Sequence, residues 1–227
     1  SGLFVEITFE SGVGLATLPY VGWGTAFVDY DNDKDLDLAV ANGAVLDNID
    51  YFRDTTYEQR NLLLRNDGIG RFEDIGPRAG SGFAIQSVSR GLAVGDLDND
   101  GDLDIVIGNN GQSPDLLRNE GGNRNNFLLI RTIGSESNRN GIGSRIKLSV
   151  GEQVLIREVK AGSSYLSQND MRVHFGLGDR QRIDRLEIGW PSGKTDVFED
   201  IDANQILTIR EGGEIVNEQK IETEPRT

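Results

Sequence analysis

Most of the chain is built from short runs of alternating apolar and polar residues, separated by glycine-rich turns. In residues 145–150, for example, Ile146, Leu148 and Val150 would lie on the same side of an extended strand. A repeat of two residues is the pattern of a half-buried β-strand. The 29 glycines keep these runs short. The pattern therefore predicts an all-β protein of many short strands joined by tight turns.

In the N-terminal half, this pattern predicts a strand at residues 3–9, closed by a turn at 10–14. A hairpin is predicted over residues 61–75, where Asn66, Asp67 and Gly68 supply the residue types that tolerate the positive φ of a tight turn. Residues 50–57 are polar and aromatic, and no element is predicted for them.

The composition changes at residues 120–126, which read EGGNRNN, and we interpret this stretch as a boundary. The predicted domains are residues 1–122, 123–212 and a frayed polar tail at 213–227. Seven short strands within the second domain favour a β-sandwich or a small barrel. The predicted strands are 127–133, 145–150, 154–160, 171–177, 183–190, 195–198 and 205–210.

One motif occurs twice in the first domain. Residues 29–37 read DYDNDKDLD and residues 96–104 read DLDNDGDLD, and we name these segments loop 1 and loop 2. A strand pattern flanks each loop, and the sequence LLRN follows both loops, at 63–66 and at 116–119. Such a repeat is typical of a β-propeller, in which each unit forms one blade of about four strands. Because propellers usually need four to eight blades, we expect a partial propeller, completed by the rest of a longer parent chain or by an oligomer mate.

The aspartates in each loop stand at alternate positions, and carboxylates this close together repel one another unless a cation neutralises them. Hard divalent cations with oxygen ligands, above all Ca²⁺, suit this arrangement. Side chains at positions 1, 3, 5 and 9 and the main-chain carbonyl at position 7 form the predicted ligand set. The predicted ligands are Asp29, Asp31, Asp33, Asp35 and Asp37 in loop 1, and Asp96, Asp98, Asp100, Asp102 and Asp104 in loop 2.

Position 6 distinguishes the two loops. Gly101 permits a sharp turn in loop 2, whereas Lys34 tolerates positive φ less well and brings a competing cation to loop 1. We therefore expect loop 2 to be the better calcium site.

Other interpretations of the loops fit less well. An EF-hand requires Glu at position 12, where this chain has Val40 and Ile107. Dockerin repeats are more closely spaced and precede helices, thrombospondin-type repeats carry cysteines, and glycine-rich β-rolls have a short regular period. A solvated acidic turn is the remaining alternative, and two copies with matched flanking strands speak against it.

Composition narrows the function classes. The net charge of −14 argues against nucleic acid and anionic membranes as partners, and two bound Ca²⁺ ions would leave a charge of about −10. The chain has no cysteine, so disulfides and zinc–thiolate sites are excluded. It also has no apolar run of the length of a membrane helix, so membrane insertion is not expected. The single histidine, His174, is expected on the polar surface of its strand, and we predict no catalytic residue.

Both halves resemble known families. The repeated loops resemble FG-GAP/VCBS repeats, which form the propeller blades of the integrin α-chain head. The segments NRNGIGSRIKLSV at 138–150 and DRLEIGWPSGK at 184–194 resemble the ASPIC/UnbV domain. The combination is similar to the C-terminal portion of the cartilage acidic protein family.

The resemblance implies a calcium-stabilised propeller with a β-rich C-terminal module, exported to the extracellular space or the periplasm. From it and from the loops we predict a binding, adhesion or structural module with an unknown protein or carbohydrate ligand, in which calcium braces the blades. The alternative is part of a natural-product-type enzyme that acts in a cleft between the propeller and the C-terminal domain.

Overall fold

The computed structural model describes residues 3–221, apart from the side chain of Asn123, and the fold is all-β. Within this range no helix is both long and apolar enough to cross a bilayer. An α-helix, α1, covers Val13–Thr17. The strands are β1 Gly22–Val28, β2 Asp37–Asn42, β3 Gln59–Arg60, β4 Leu62–Asn66, β5 Phe72–Asp74, β6 Gln86–Ser87, β7 Ser89–Gly95, β8 Asp104–Asn109, β9 Asp115–Leu117, β10 Asn126–Ile133, β11 Arg145–Val150, β12 Gln153–Glu158, β13 Val173–Gly178, β14 Arg182–Gly189, β15 Thr195–Asp202, β16 Gln205–Arg210 and β17 Glu214–Lys220.

The first blade is a four-stranded antiparallel sheet in the order β1-β2-β4-β5. Loop 1 joins β1 to β2, and the predicted hairpin joins β4 to β5. One face of the sheet carries Val40, Leu62 and Leu64, which pack beneath Val13 and Ala16 of α1. The small residues Ala39 and Ala41 lie on the opposite face, where a second sheet approaches closely.

The second blade has three strands in the order β7-β8-β9, and loop 2 joins β7 to β8. Leu92, Val94, Ile105 and Ile107 pack against Ala26 and Val28 of the first blade. Gly24 allows the two inner strands to meet, because a Cβ there would lie 2.6 Å from the main-chain nitrogen of Leu92. After β9 the chain leaves this blade without forming a fourth strand. The structure thus has two blades of a partial propeller.

The C-terminal part consists of two four-stranded sheets that pack face to face. Their strand orders are β13-β10-β16-β17 and β12-β11-β14-β15. The shared core includes Leu128 and Phe175 from the first sheet and Ile146, Leu148 and Ile188 from the second. All seven predicted strands are present, and they form a sandwich rather than a barrel. Strands β10 and β16 pair in parallel, in the register Leu128–Gln205 to Ile133–Arg210.

Two predictions at the ends of the chain are wrong. Residues 3–7 form no strand, residues 8–10 are a turn, and α1 follows. Among the residues that the structure describes, no strand pairs with this segment. The predicted frayed tail instead contributes β17, which pairs with β16 along the edge of its sheet. Residues 222–227 of that tail lie outside the described residues.

Candidate metal sites

Loops 1 and 2 have positive φ values at the same two positions. At position 4, Asn32 and Asn99 have φ values of 56° and 61°. At position 6, Lys34 and Gly101 have φ values of 89° and 99°. Lys34 thus adopts a left-handed conformation that costs an L-residue about 1–2 kcal/mol. The turn at position 6 therefore does not depend on glycine.

The loops also share their internal hydrogen bonds. The position-1 carboxylate accepts from the position-6 N–H, with Lys34 N to Asp29 Oδ2 at 3.0 Å and Gly101 N to Asp96 Oδ2 at 3.2 Å. The position-9 carboxylate accepts from the position-2 N–H and from the N–H of the asparagine that ends LLRN. These bonds fix the carboxylates at both ends of each loop before any ligand is considered.

The same three positions converge in each loop. Carboxylate oxygens of positions 1, 3 and 9 lie within 4.8 Å of one another, in the groups Asp29, Asp31, Asp37 and Asp96, Asp98, Asp104. This spacing suits a divalent cation with oxygen ligands.

The remaining predicted ligands are placed differently. At position 5, Asp33 and Asp100 each accept a hydrogen bond from the N–H two residues later. At position 7 the carboxylates point elsewhere: Asp102 Oδ2 accepts from Gly122 N at 2.9 Å, and Asp35 Oδ2 lies against Gly68. At position 7 only the main-chain carbonyl remains as a predicted ligand.

Loop 1 is the more enclosed site. Burial raises the pKa of Asp29 to about 8, with Asp33, Asp37 and Asp31 adding to it, and burial raises the pKa of Asp37 to about 7. Within residues 3–221, Asp29 Oδ1 and Asp31 Oδ1 are buried and have no hydrogen-bond partner. Buried carboxylate oxygens are normally paired or bound to a metal. The loop 1 residues therefore fit a divalent cation.

Loop 2 is more open and has a cationic neighbour. Leu97 and Asp98 are exposed, whereas Tyr30 and Asp31 at the same positions are partly covered. Burial raises the pKa of Asp96 to about 6, while Arg172 lowers it. The Arg172 guanidinium donates to the main-chain oxygen of Asp96 and to Asn99 Oδ1. Arg172 thus partly balances the negative charge of the loop 2 carboxylates.

Lys34 does not supply the same compensation in loop 1. Within the described part of the chain it forms no ion pair, and its Cε lies 3.4 Å from the position that a Cβ on Gly178 would take. Its side chain therefore extends along the C-terminal sheet. Loop 2 was expected to be the better calcium site because Lys34 would compete with the cation in loop 1. Since the Lys34 side chain extends along the C-terminal sheet instead, that reason does not hold, and the relative calcium affinity of the two loops stays a prediction.

The outer face of the sheet β13-β10-β16-β17 covers both loops, which the sequence analysis did not predict. A Cβ on Gly176 would lie 2.1 Å from Asp29 Oδ2, and a Cβ on Gly101 would lie 1.9 Å from Phe127 Cε1. Gly178 N donates to Asn32 O at 2.8 Å. A glycine inside an apolar strand is the signal that could have indicated this close approach.

His174 lies in the same interface, so its expected place on the polar surface is wrong. Its Nε2 is 3.2 Å from Gly101 O, and its ring stacks on Phe127 at a centroid distance of 6.2 Å. Burial lowers the pKa of His174 to about 4. The imidazole therefore packs as a neutral ring at neutral pH.

Further contacts tie the two loops to each other and to the segment that leaves the second blade. Asn32 Nδ2 donates to Gly101 O at 3.2 Å, Asn119 Nδ2 to Tyr30 O at 2.6 Å and Asn125 Nδ2 to Asp31 O at 2.8 Å. Both candidate sites thus lie where two blades and the C-terminal sandwich meet.

Comparison with protein-family models gives three matches. Residues 49–107 match an FG-GAP-like repeat, residues 90–125 match an FG-GAP repeat, and residues 134–216 match the ASPIC and UnbV family. The chain carries FG-GAP repeats followed by an ASPIC/UnbV domain. Loop 2 falls within the FG-GAP matches, whereas loop 1 lies before them and is identified by its matched geometry.

The chain is also similar to cartilage acidic protein 1. It is 29% identical to the protein of Mus musculus over 174 residues and 28% identical to that of Homo sapiens over 174 residues, in each case over 73% of this chain. The protein of Xenopus tropicalis is 28% identical over 179 residues. These matches span about a quarter of the length of each relative, namely 25%, 24% and 25%.

Proposed function

We propose that this chain is a calcium-braced extracellular binding or adhesion module, in which two Ca²⁺ ions hold the blades in register with the C-terminal sandwich. Asp29, Asp31 and Asp37 would hold one ion, and Asp96, Asp98 and Asp104 the other. Asp33, Asp100 and the main-chain carbonyls of Asp35 and Asp102 would complete the two sets. Calcium supplies the positive charge that allows these buried carboxylates to ionise together.

The observation that carries the proposal is the cluster in loop 1. Asp29 and Asp31 each present a buried oxygen without a hydrogen-bond partner among residues 3–221, directly beneath the C-terminal sheet. Leaving ionised groups there without a counter-charge costs several kcal/mol. A cation at this point would therefore stabilise the loop and the domain junction together.

An extracellular location supports calcium loading. At a calcium concentration one hundred times Kd, each site contributes about 2.7 kcal/mol by mass action. Extracellular calcium is millimolar, so even a modest site is filled there, whereas resting cytosol leaves it empty. The FG-GAP repeats and the similarity to cartilage acidic protein 1 favour the same location.

Thermal unfolding tests the proposal. The chain should melt at a higher temperature in 2 mM CaCl₂ than in EDTA, and 2 mM MgCl₂ should restore less of the difference, because Mg²⁺ demands stricter octahedral geometry. Calcium-dependent changes in the NMR signals of Asn32, Gly101 and Gly176 would place the effect at the junction. An identical melting temperature in calcium and EDTA would refute calcium as the brace.

The second blade has an exposed apolar face, and we also propose what packs against it. On the second blade, Val106 and Leu116 are cross-strand neighbours, and both are exposed. Paired exposed apolar residues on a sheet are typical of a surface covered by another element. We assign this face to a further blade of the parent chain or of an oligomer mate. The apparent mass in solution and that of a longer parent chain would separate the two sources, and a monomer whose face stays exposed in the parent chain would contradict both.

A second candidate, an enzyme acting between the domains, has one observation in its favour. A cleft of about 880 Å³ lies between β1 of the first blade and β12 and β13 of the sandwich. The acids with raised pKa values in its wall, Asp29 and Asp96, belong to the calcium loops. Loss of a reaction in Asp29→Asn with calcium binding retained would favour catalysis, and retention of turnover in that variant would exclude Asp29 as a catalytic group.

A further inference from the structure

The cleft between the inner strands and the sandwich has a size typical of a site for an organic ligand. Its volume of about 880 Å³ falls within the range of small-molecule sites. The blade wall is formed by residues 25–29 and 94–96, and the opposite wall by residues 156–158, Lys160 and the segment that leads into β13. The cleft opens beside loop 1, and Asp29 and Asp96 of the two loops form part of its lining.

Cations gather in this cleft although the protein as a whole is acidic. Arg145, Arg157, Lys160 and Arg172 line it, in a chain with a net charge of −14. Arg172 is engaged by Asp170, Asn99 and the Asp96 carbonyl. The other three form no ion pair within the part of the chain that the structure describes. The acids in the same walls are Asp29, Asp96, Glu158 and Asp170.

Arg157 is the most enclosed of the three. Its guanidinium lies 5.6 Å from the centroid of the Phe175 ring, and its Nη1 donates to its neighbour Ile156 O at 3.0 Å. Burial lowers its pKa, and the field of Asp29 opposes that shift. A partly buried guanidinium stays charged, and its burial is costly without an anion. Asp29 is the nearby acid, but it belongs to the carboxylate cluster of loop 1.

Apolar side chains line the cleft beside these cations. Phe27 is 61% exposed, and its cross-strand neighbour Leu38 lies beside it on the blade wall. Met171 lies on the opposite wall. An aromatic or aliphatic body placed here would cover Phe27 and Leu38, at roughly 25 cal/mol for each Å² removed from water.

We propose that this cleft binds a small organic anion, a carboxylate with an apolar body, whose carboxylate pairs with the Arg157 guanidinium while the body packs on Phe27 and Leu38. Arginine suits this role because its planar fork binds a carboxylate through two parallel hydrogen bonds. The inference rests on the proposed function in one respect: calcium in loop 1 neutralises Asp29, which otherwise faces the ligand as a like charge.

The test uses pairs of probes that differ only in charge. 2-Naphthoate and decanoate are titrated into the ¹⁵N-labelled chain in calcium, alongside 2-naphthamide and decanamide, and binding is followed by chemical-shift changes. At least one carboxylate should bind at least tenfold more tightly than its amide, with the largest shifts at residues 25–28 and 155–158. Equal affinity of both acids and their amides, or shifts away from these segments, would overturn the proposal.

Variants assign the contacts. Arg157→Gln should weaken carboxylate binding at least tenfold and leave amide binding unchanged, and Arg157→Lys should restore part of it. Phe27→Ala should weaken acid and amide alike. The matched control is Arg131→Gln, an exposed arginine outside the cleft, which should have no effect. Unchanged carboxylate binding by Arg157→Gln would refute the proposed role of Arg157.

Melting of the same samples in calcium and EDTA separates this inference from the proposed function. A calcium-dependent melting temperature without carboxylate binding would overturn the ligand site alone. Carboxylate binding without a calcium effect on melting would overturn the calcium brace alone. Tighter carboxylate binding in EDTA than in calcium would overturn the link between them.

Discussion

Loops 1 and 2 are two copies of one motif in different surroundings. Their backbone angles and internal hydrogen bonds agree, so the nine-residue sequence determines the local conformation. Their electrostatics differ, since the pKa of Asp29 rises to about 8 and that of Asp96 to about 6. The strand that carries Gly176 covers loop 1, whereas the positive charge of Arg172 partly balances the carboxylates of loop 2. The demand for a cation thus depends on the neighbouring domain more than on the motif.

The largest effect is expected from removing the position-1 charge. In calcium, Asp29→Asn should lower the melting temperature by roughly 5–10 °C, the equivalent of about 2.7 kcal/mol in a chain of this size. In EDTA, Asp29→Asn should instead raise the melting temperature, because the neutral amide removes the repulsion between the buried carboxylates. Asp96→Asn should show smaller changes of both signs, and exposed Asp47→Asn should show none. Equal effects of Asp29→Asn and Asp96→Asn in differential scanning calorimetry would remove the proposed difference between the loops.

The second prediction concerns pH in the absence of calcium. The folded pKa values of Asp29 and Asp37, about 8 and about 7, lie above the ordinary value of 3.8. The stability that these groups contribute is therefore present below about pH 4 and is lost as the pH rises through 7 and 8. In EDTA the melting temperature should fall from pH 5 to pH 8, and Asp29→Asn should flatten this slope more than Asp96→Asn. A melting temperature that rises over this range would contradict the assignment.

The third prediction tests the cover rather than the loops. Gly176→Ala should cost about 1–3 kcal/mol by overpacking and should reduce the calcium-dependent shift, because its Cβ would meet Asp29 and the backbone of Asn32. Gly101→Ala should destabilise the chain in calcium and in EDTA alike, because it meets the Phe127 ring. Gly108→Ala is the control, since its Cβ would meet nothing within 4 Å. A Gly176→Ala variant that keeps the full calcium-dependent change in melting temperature would show that the sheet does not affect calcium binding by loop 1.

The smallest effect is expected at position 6 of loop 1. Lys34→Gly should stabilise the chain by about 1 kcal/mol, because glycine adopts the φ of 89° without strain. Lys34→Ala keeps the strain and removes only the side chain, so it should gain nothing. Chemical denaturation would measure the free energy of unfolding of both variants. An equal increase in Lys34→Ala and Lys34→Gly would show that the charged amine, and not the backbone strain, destabilises loop 1.

Local patterns account for what could be predicted. The repeat, the hairpin and the seven C-terminal strands follow from alternation and turn residues, which act over a few positions. Strand β17 was missed because Glu214, Asn217 and Glu218 resemble a solvated tail, and only pairing with β16 makes the segment a strand. The segment at 3–7 has a strand-like composition but pairs with no strand among residues 3–221.

The site shows the same division between local and distant information. The spacing of the aspartates predicts side-chain ligands at positions 1, 3, 5 and 9, of which positions 1, 3 and 9 converge in the structure. The enclosure of loop 1 instead depends on Gly176, more than 130 residues further along the chain. The half-buried position of His174 likewise depends on Gly101 and Phe127. Contacts between distant segments carry no periodic signal, so a single sequence does not reveal them.

The parallel pairing of β10 with β16 has a consequence for the order of folding. β10 begins at Asn126 and its neighbour β16 at Gln205, so the central pair of the covering sheet forms only after most of the chain has been synthesised. Pairing of strands so distant in sequence is slow, because a long loop must close before any contact stabilises it. The blades can form their hairpins early, whereas the cover of loop 1 by Gly176 must wait for β13, which pairs with β10. Loop 1 is therefore enclosed at a later step of folding than the one that forms the loop itself.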